Sequence, residues 1–136
     1  MKPLAIWVAI VVVVFGGFAL ITSSLRDTTQ VFVAVDSSFE MGPVWRRVQR
    51  ELDRIDDSDH SEFALATARS LQSDLIHSWQ PELTLVGIEP FAPCSFDGIG
   101  DYVEATEADK RILITTSARG CDTTALGDWE IIQLGP

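Results

Sequence analysis

The sequence predicts an α/β domain, a mostly parallel sheet flanked by helices, behind one N-terminal transmembrane helix. Three observations carry this expectation. Val31–Val35 and Ile112–Thr116 are short runs rich in β-branched and apolar residues, the signature of strands buried on both faces. The first run is followed by an amphipathic helical pattern, with Val44, Val48, Leu52 and Ile55 on one face. Strand and helix signals then alternate to the end of the chain, which implies parallel strands joined by right-handed crossovers.

The 136 residues suffice for one modest domain. A hydrophobic content of 46% and a mean hydropathy of +0.18 are high for a chain of this size, and the excess has one source. Leu4–Ile21, LAIWVAIVVVVFGGFALI, contains no charged residue. Eighteen residues are roughly what a helix needs to cross a ~30 Å hydrocarbon core. Trp7 suits the interface, and the Gly16-Gly17 pair is tolerated in a membrane helix. The run is longer than the ~7–15 residues of a secretory signal core. Its exit, Thr22-Ser23-Ser24, has no A-x-A cleavage site and no cysteine for a lipid anchor. The sequence therefore favours a signal anchor over residues 1–25 rather than a cleaved signal. Residues 26–30 form a short linker, and 31–136 form the domain. Lys2 precedes the apolar run and Arg26 follows it, with Asp27 alongside. A leading helix with so short a flank favours a cytoplasmic N-terminus, so a single-pass protein with an extracytoplasmic domain, periplasmic or extracellular, is expected.

With 10 basic and 20 acidic residues the chain carries a net charge of −10, and all the acid lies beyond the apolar run. This argues against nucleic acid, or anionic lipid, as a partner bound by bulk electrostatics. It suits a solvated domain. Two cysteines, Cys94 and Cys121, form no CxxC or Cys/His spacing, so a zinc motif has no support. In an exported domain they permit one disulfide or two buried thiols. His60 and His77 have no second histidine at ligand spacing. The acidic run Asp56-Asp57-Ser58-Asp59 lacks the glycine and distal glutamate of a calcium loop and reads as a solvated turn.

The elements follow in order. The first strand, Val31–Val35, ends in Asp36-Ser37-Ser38, a polar tip where α/β sheets place ligand sites. Pro43 suits the first position of a helix reaching Ile55, with Arg46, Arg47, Arg50 and Arg54 on its solvent side; Arg50 and Arg54 are placed to pair with the acidic run. Within Glu62–Trp79, Phe63, Thr67, Leu71, Leu75 and Trp79 recur every four residues. That favours a helix slightly over two strands, Phe63–Thr67 and Asp74–Trp79. Leu83–Ile88 reads as a strand, weakened by Gly87. Phe91–Ser95 reads as a loop. Asp97–Asp109 reads as a helix with Ile99, Tyr102, Val103 and Thr106 on one face. A polar loop or short helix over Ser117–Asp128 leads to a last strand, Trp129–Leu134.

The tip Asp36-Ser37-Ser38-Phe39-Glu40, closing a buried strand and opening a helix, resembles the D-x-S-x-S motif of von Willebrand factor type A (vWA) domains, with Glu40 in place of the second serine. PFAPCSFDGIGDY, Pro90–Tyr102, resembles the family's second region, with Cys94-Ser95 where a Gly-Thr pair belongs. ILITTSA, Ile112–Ala118, resembles its third, with Thr116-Ser117-Ala118 for Thr-Asp-Gly. EIIQLG, Glu130–Gly135, resembles the next core strand. The resemblance spans most of 31–135 and implies a vWA/Rossmann-like sheet, truncated before the family's last helices. It implies that Phe63–Thr67 is a strand. It also implies a degenerate metal-ion-dependent adhesion site, with Asp36, Ser38, Glu40, Ser95 and Ser117 as its remaining ligand candidates. Magnesium needs hard oxygens in near-octahedral array, and Ser117 lacks the missing aspartate's charge. No cofactor is therefore expected, magnesium entering only if the reduced ligand set still binds it. On such a fold Cys94 and Cys121 share the loops beside Asp36, and a disulfide there would contribute roughly 3 kcal/mol.

The function so implied is a membrane-anchored module that binds an unidentified protein partner through the face bearing Asp36, Ser38, Ser95 and Ser117. Two alternatives stand beside it. One is a structural remnant that binds nothing. The other is a haloacid dehalogenase-type phosphatase, in which an aspartate attacks phosphorus; that family needs D-x-D, and Ser38 stands at the second aspartate. No G-x-S-x-G elbow is present. With no complete catalytic constellation, the sequence points away from an enzyme.

Overall fold

The structure, a computed structural model, describes residues 2–24, 28–58, 60–68, 74–91, 93–117 and 121–135. The last residue of the expected anchor (25), part of the expected linker (26–27), Asp59 of the acidic run, Leu71 of the four-residue repeat, Ala92 and Ala118 lie outside the described residues. The apolar run forms one helix, α1 (Lys2–Ser24). Its stretch Lys2–Ile21 is long and apolar enough to cross a membrane.

Beyond it lies an α/β domain. Five strands, β1 (Thr29–Asp36), β2 (Ser61–Ala68), β3 (Asp74–Gln80), β4 (Lys110–Thr116) and β5 (Glu130–Leu134), form one mixed sheet in the order β3-β2-β1-β4-β5. The pairs β1–β2, β1–β4 and β4–β5 are parallel, and β2–β3 is antiparallel. β1 is central. Its residues Val31–Asp36 are all buried, because both faces of the sheet are covered and both edges of β1 are paired. Strand alternation sends Val31, Val33 and Val35 to one face and Phe32 and Ala34 to the other.

On the first face lies α2 (Trp45–Asp56), entered through a turn of 3-10 helix, Phe39–Val44, that contains Pro43. The expected stripe is what it buries. Val44, Val48 and Leu52 pack with Met41 against the valines of β1, with Phe63 and Leu65 of β2 and with Ile112 and Ile114 of β4, while Ile55 is partly covered. The arginines face solvent, and Arg54 pairs with Glu51 of its own helix at 2.9 Å. Arg47 donates to the Gly135 carbonyl, tying α2 to the chain beyond β5.

The second face has a thinner cover. It consists of the turns around Phe96–Asp101, the short helix α3 (Val103–Glu107) and the 3-10 turn Thr124–Leu126. Small side chains on β2, Ala64, Ala66 and Ala68, together with Ala34, leave room here for Phe32, Phe96, Ile99 and partly buried Trp129. The Phe32 ring meets Trp129 edge-on at 5.7 Å and Tyr102 at 6.2 Å, separations at which aromatic pairs attract.

Two expectations are corrected, and the choice left open between helix and strands over 62–79 is resolved. Residues 61–68 and 74–80 are strands, the form the resemblance implied for Phe63–Thr67, and not the helix that periodicity slightly favoured. A spacing of four is a multiple of the strand period as well, so Phe63 and Thr67 share a face of β2, and Leu75 and Trp79 share a face of β3. Leu83–Ile88 is not a strand. The Leu83 N–H donates to Asp56 Oδ2 and the Leu85 N–H to Gln49 Oε1, both at 3.4 Å, so this segment spends those donors on α2 side chains. Gly87, at φ +72°, bends it in a conformation that side chains disfavour. The helix expected over Asp97–Asp109 shrinks to α3. Its buried residues are Ile99, before the helix, and Ala105, whereas Val103 is 63% exposed. Glycines at 98 and 100 favour turns over helix there.

Phe32 carries a testable consequence. Phe32→Ala should lower the unfolding free energy by about 3–5 kcal/mol, the usual cost of emptying a buried aromatic site. Phe39→Ala, at a position 58% exposed, should change it by no more than about 0.5 kcal/mol. Denaturant unfolding of the two variants reads this difference.

Candidate functional site

Four parallel strands, β2, β1, β4 and β5, bring their carboxyl ends to one edge of the sheet. β1 delivers Asp36 opposite Ala68 of β2, and the Val35–Ile114 pairing places Asp36 beside Thr115 of β4. Asp36, Ser37 and Ser38 are fully buried. Each oxygen of the Asp36 carboxylate has a donor. Oδ1 accepts the Ser38 N–H at 2.9 Å, closing an Asx turn, and Oδ2 accepts the Thr115 hydroxyl at 2.8 Å. Ser37 donates its N–H to the Ala68 carbonyl at 3.0 Å, and its hydroxyl reaches the same oxygen at 3.4 Å. The polar tip is thus stitched to both neighbouring strands.

Above the carboxylate sits a disulfide between Cys94 and Cys121, with Cα atoms 5.5 Å apart and 27 positions apart in sequence. Cys121 Sγ lies 3.4 Å and Cys94 Sγ 3.9 Å from Asp36 Oδ2. Ser38 Oγ lies 3.9 Å from Cys121 Sγ. The bond joins two loops across the carboxyl ends of the strands, and the sulfurs roof the carboxylate.

Burial pushes the Asp36 carboxyl above its ordinary value of 3.8. The Ser38 and Thr115 hydrogen bonds pull it back, and the nearby Glu40 charge pushes it further up. A folded-state value raised above the unfolded one gives a contribution to stability that is complete below the unfolded value and is lost as pH rises through the folded one.

The sequence-predicted residues separate into two groups. Asp36 and Ser38 come together as described. Glu40 lies close enough for its charge to act on Asp36, and its Oε2 is buried with no hydrogen-bond partner among the described residues. Ser95 turns to its own loop, where its Oγ accepts the Asp97 N–H at 3.4 Å. Ser117 is exposed, and its N–H donates to the Leu134 carbonyl. His77 sits on β3 with Nδ1 2.9 Å from the Ser78 carbonyl, and His60 is exposed in the turn before β2. Thr115 is the group that sequence reading passed over in favour of Thr116 and Ser117. Only the β1–β4 register singles it out, since Thr115 and Thr116 are alike in type. Thr116 instead donates its hydroxyl to the Leu134 carbonyl at 3.2 Å.

The arrangement can be tested against the magnesium that the motif resemblance implies. Magnesium demands near-octahedral hard oxygens at about 2.0–2.1 Å. The space above Asp36 Oδ2 is filled by disulfide sulfur, a poor ligand for a hard ion, and Ser95 and Ser117 are turned to other partners. The residues in this oxidised arrangement do not fit magnesium.

The rim is apolar. Phe39 and Phe91 are 58% and 55% exposed, and the Phe91 N–H donates to the Ser37 carbonyl at 3.1 Å, which seats it beside the polar tip. Phe91 also lines a shallow hollow with Trp45, Gly87, Ile88 and Glu89.

Compared with models of known protein families, with characterised proteins and with solved structures, the chain has no match in any of the three.

Two outcomes are expected. Paired Cys94→Ser and Cys121→Ser replacement should lower the unfolding free energy by roughly 3–4 kcal/mol, from the loop that the bond closes, as read by chemical denaturation. Asp36→Asn should flatten the pH dependence of stability. Relative to the parent it should be more favourable near neutrality than below 3.8, and thermal melts across pH measure that difference.

Proposed function

We propose that this chain is a membrane-anchored, extracytoplasmic vWA-like interaction module that binds a protein partner without a metal ion. The observation that carries the reading is the exposure of Phe39 and Phe91, each close in the chain or by hydrogen bond to the sealed Asp36-Ser37-Ser38 tip, at the end of the sheet where ligand sites of α/β folds form. Exposed aromatics are common anchors of protein contacts. Asp36 and Ser38, fully buried, act from beneath as the brace of that surface rather than as its contacts. The apolar helix α1, the disulfide and the acidic domain support placement of the domain in an oxidising compartment outside the cytoplasm.

The structural-remnant reading also draws on one observation, the carboxylate sealed under sulfur. A phosphatase reading has less support, because a nucleophilic Asp36 would have to reach phosphorus through that roof. No enzymatic activity is proposed.

A photo-crosslinking residue placed at 39 or 91 in the membrane-embedded full chain should give one discrete adduct, and the same residue at the exposed position 103 should not. Magnesium added to the oxidised protein should leave that pattern unchanged. Adducts absent at all three positions, or equal at all three, would count for the remnant.

A further inference from the structure

The cluster that seals the site is also a set of metal ligands held in their oxidised state. Asp36, Cys94 and Cys121 place one carboxylate oxygen and two sulfurs within 4.8 Å of one another. We propose that reduction of the Cys94–Cys121 disulfide opens a site for a single thiophilic divalent cation, zinc by preference, held by Cys94 Sγ, Cys121 Sγ and a carboxylate oxygen of Asp36.

The distances carry the inference. Zinc takes thiolate sulfur at about 2.3 Å and carboxylate oxygen at about 2.0 Å, in a tetrahedron. The sulfur-to-oxygen edge of that tetrahedron is then about 3.5 Å. The two edges present here, from Asp36 Oδ2 to the sulfurs, are 3.4 and 3.9 Å. One of the three edges of the ligand face therefore already has the required length, and a second is longer by about 0.4 Å. The larger change is the parting of the sulfurs, from bonding distance to about 3.8 Å. Cys94 lies in the loop before the Phe96–Asp101 turns and Cys121 in the loop before the Thr124–Leu126 turn, so neither is held by a strand or a helix. The Asp36 carboxylate, by contrast, is oriented by the Ser38 N–H and the Thr115 hydroxyl, the outer hydrogen bonding that fixes a ligating carboxylate. Ser38 Oγ, 3.9 Å from Cys121 Sγ, or a solvent molecule completes four-coordination. Two thiolates select a soft ion and exclude the magnesium that the oxidised arrangement also fails to fit.

The chemistry balances. A dithiol reductant delivered to the domain transfers two electrons and two protons, giving two cysteine thiols and its own disulfide. Binding of the divalent ion then displaces the two thiol protons to solvent. Disulfide and metal are mutually exclusive occupants of the same few ångströms, so the bound ion shields the thiols from reoxidation, and reoxidation expels the ion. This holds whether or not the Phe39–Phe91 rim binds a partner.

The test uses the full chain in detergent, reduced with a phosphine under argon and titrated with cobalt(II) as a spectroscopic stand-in for zinc. The reduced protein should develop a thiolate-to-cobalt charge-transfer band that saturates at one equivalent and is bleached by zinc. The oxidised protein should develop none. Asp36→Ala should weaken cobalt binding by at least about tenfold, since losing an outer-sphere partner alone costs 10–100-fold. The paired Cys94→Ser and Cys121→Ser variant should lose the band. Circular dichroism of the reduced, cobalt-loaded chain should match that of the oxidised protein. Absence of the band, cobalt binding as tight in Asp36→Ala as in the parent, or a cobalt-loaded chain that stays unfolded would each overturn the proposal.

Discussion

The carboxyl end of the parallel strands is organised around one buried carboxylate. Asp36 closes the central strand, where water is excluded and an unsatisfied charge is costly. Its two oxygens recruit the backbone of Ser38 and the hydroxyl of Thr115. Those bonds set the direction in which the chain leaves β1 and link β1 to β4 beyond their backbone ladder. The 3-10 turn and α2 follow from that direction, and α2 covers one face of the core. The disulfide answers the same constraint from above, replacing solvent over Oδ2 with sulfur.

The two faces of the sheet solve their packing differently. One is covered by a single amphipathic helix whose apolar stripe matches the valines of β1. Among the described residues the other is covered by short turns and a five-residue helix, and it compensates with aromatic bulk. Phe32, Trp129 and Tyr102 fill the volume that the alanines of β2 leave open. The thin cover is also where Cys94 and Cys121 reside. A covalent bond there restrains loops that little regular structure holds.

Much of this was legible from residue pattern. β1 and β4 announce themselves as apolar runs, and α2 as a stripe at spacing four. The apolar segment of α1 is unmistakable by length and composition. What failed was periodicity where periods coincide: Phe63 and Thr67 satisfy a helix and a strand equally. LTLVGI had the composition of a strand, but its Leu83 and Leu85 donors went to Asp56 and Gln49 of α2. At the site, Asp36 and Ser38 were recognisable as a polar tip after a buried strand. Thr115 was not, because its role depends on how β4 is registered against β1, a property of two distant segments together. Ser95 and Ser117 are chemically suitable ligands, but whether a loop hydroxyl turns toward a carboxylate or toward its own backbone is decided by loop conformation.

The parallel ladders on either side of β1 have a mechanical consequence. The strand starts a few residues after α1 and ends at Asp36; eight extended residues span about 26 Å. A pull along the strand axis, as from an N-terminal helix held in a bilayer, would load the hydrogen bonds to β2 and β4 in shear, all at once, rather than opening them pair by pair. β1 would then act as a tension rod, and Thr115, bonded across to Asp36, would secure its outer end.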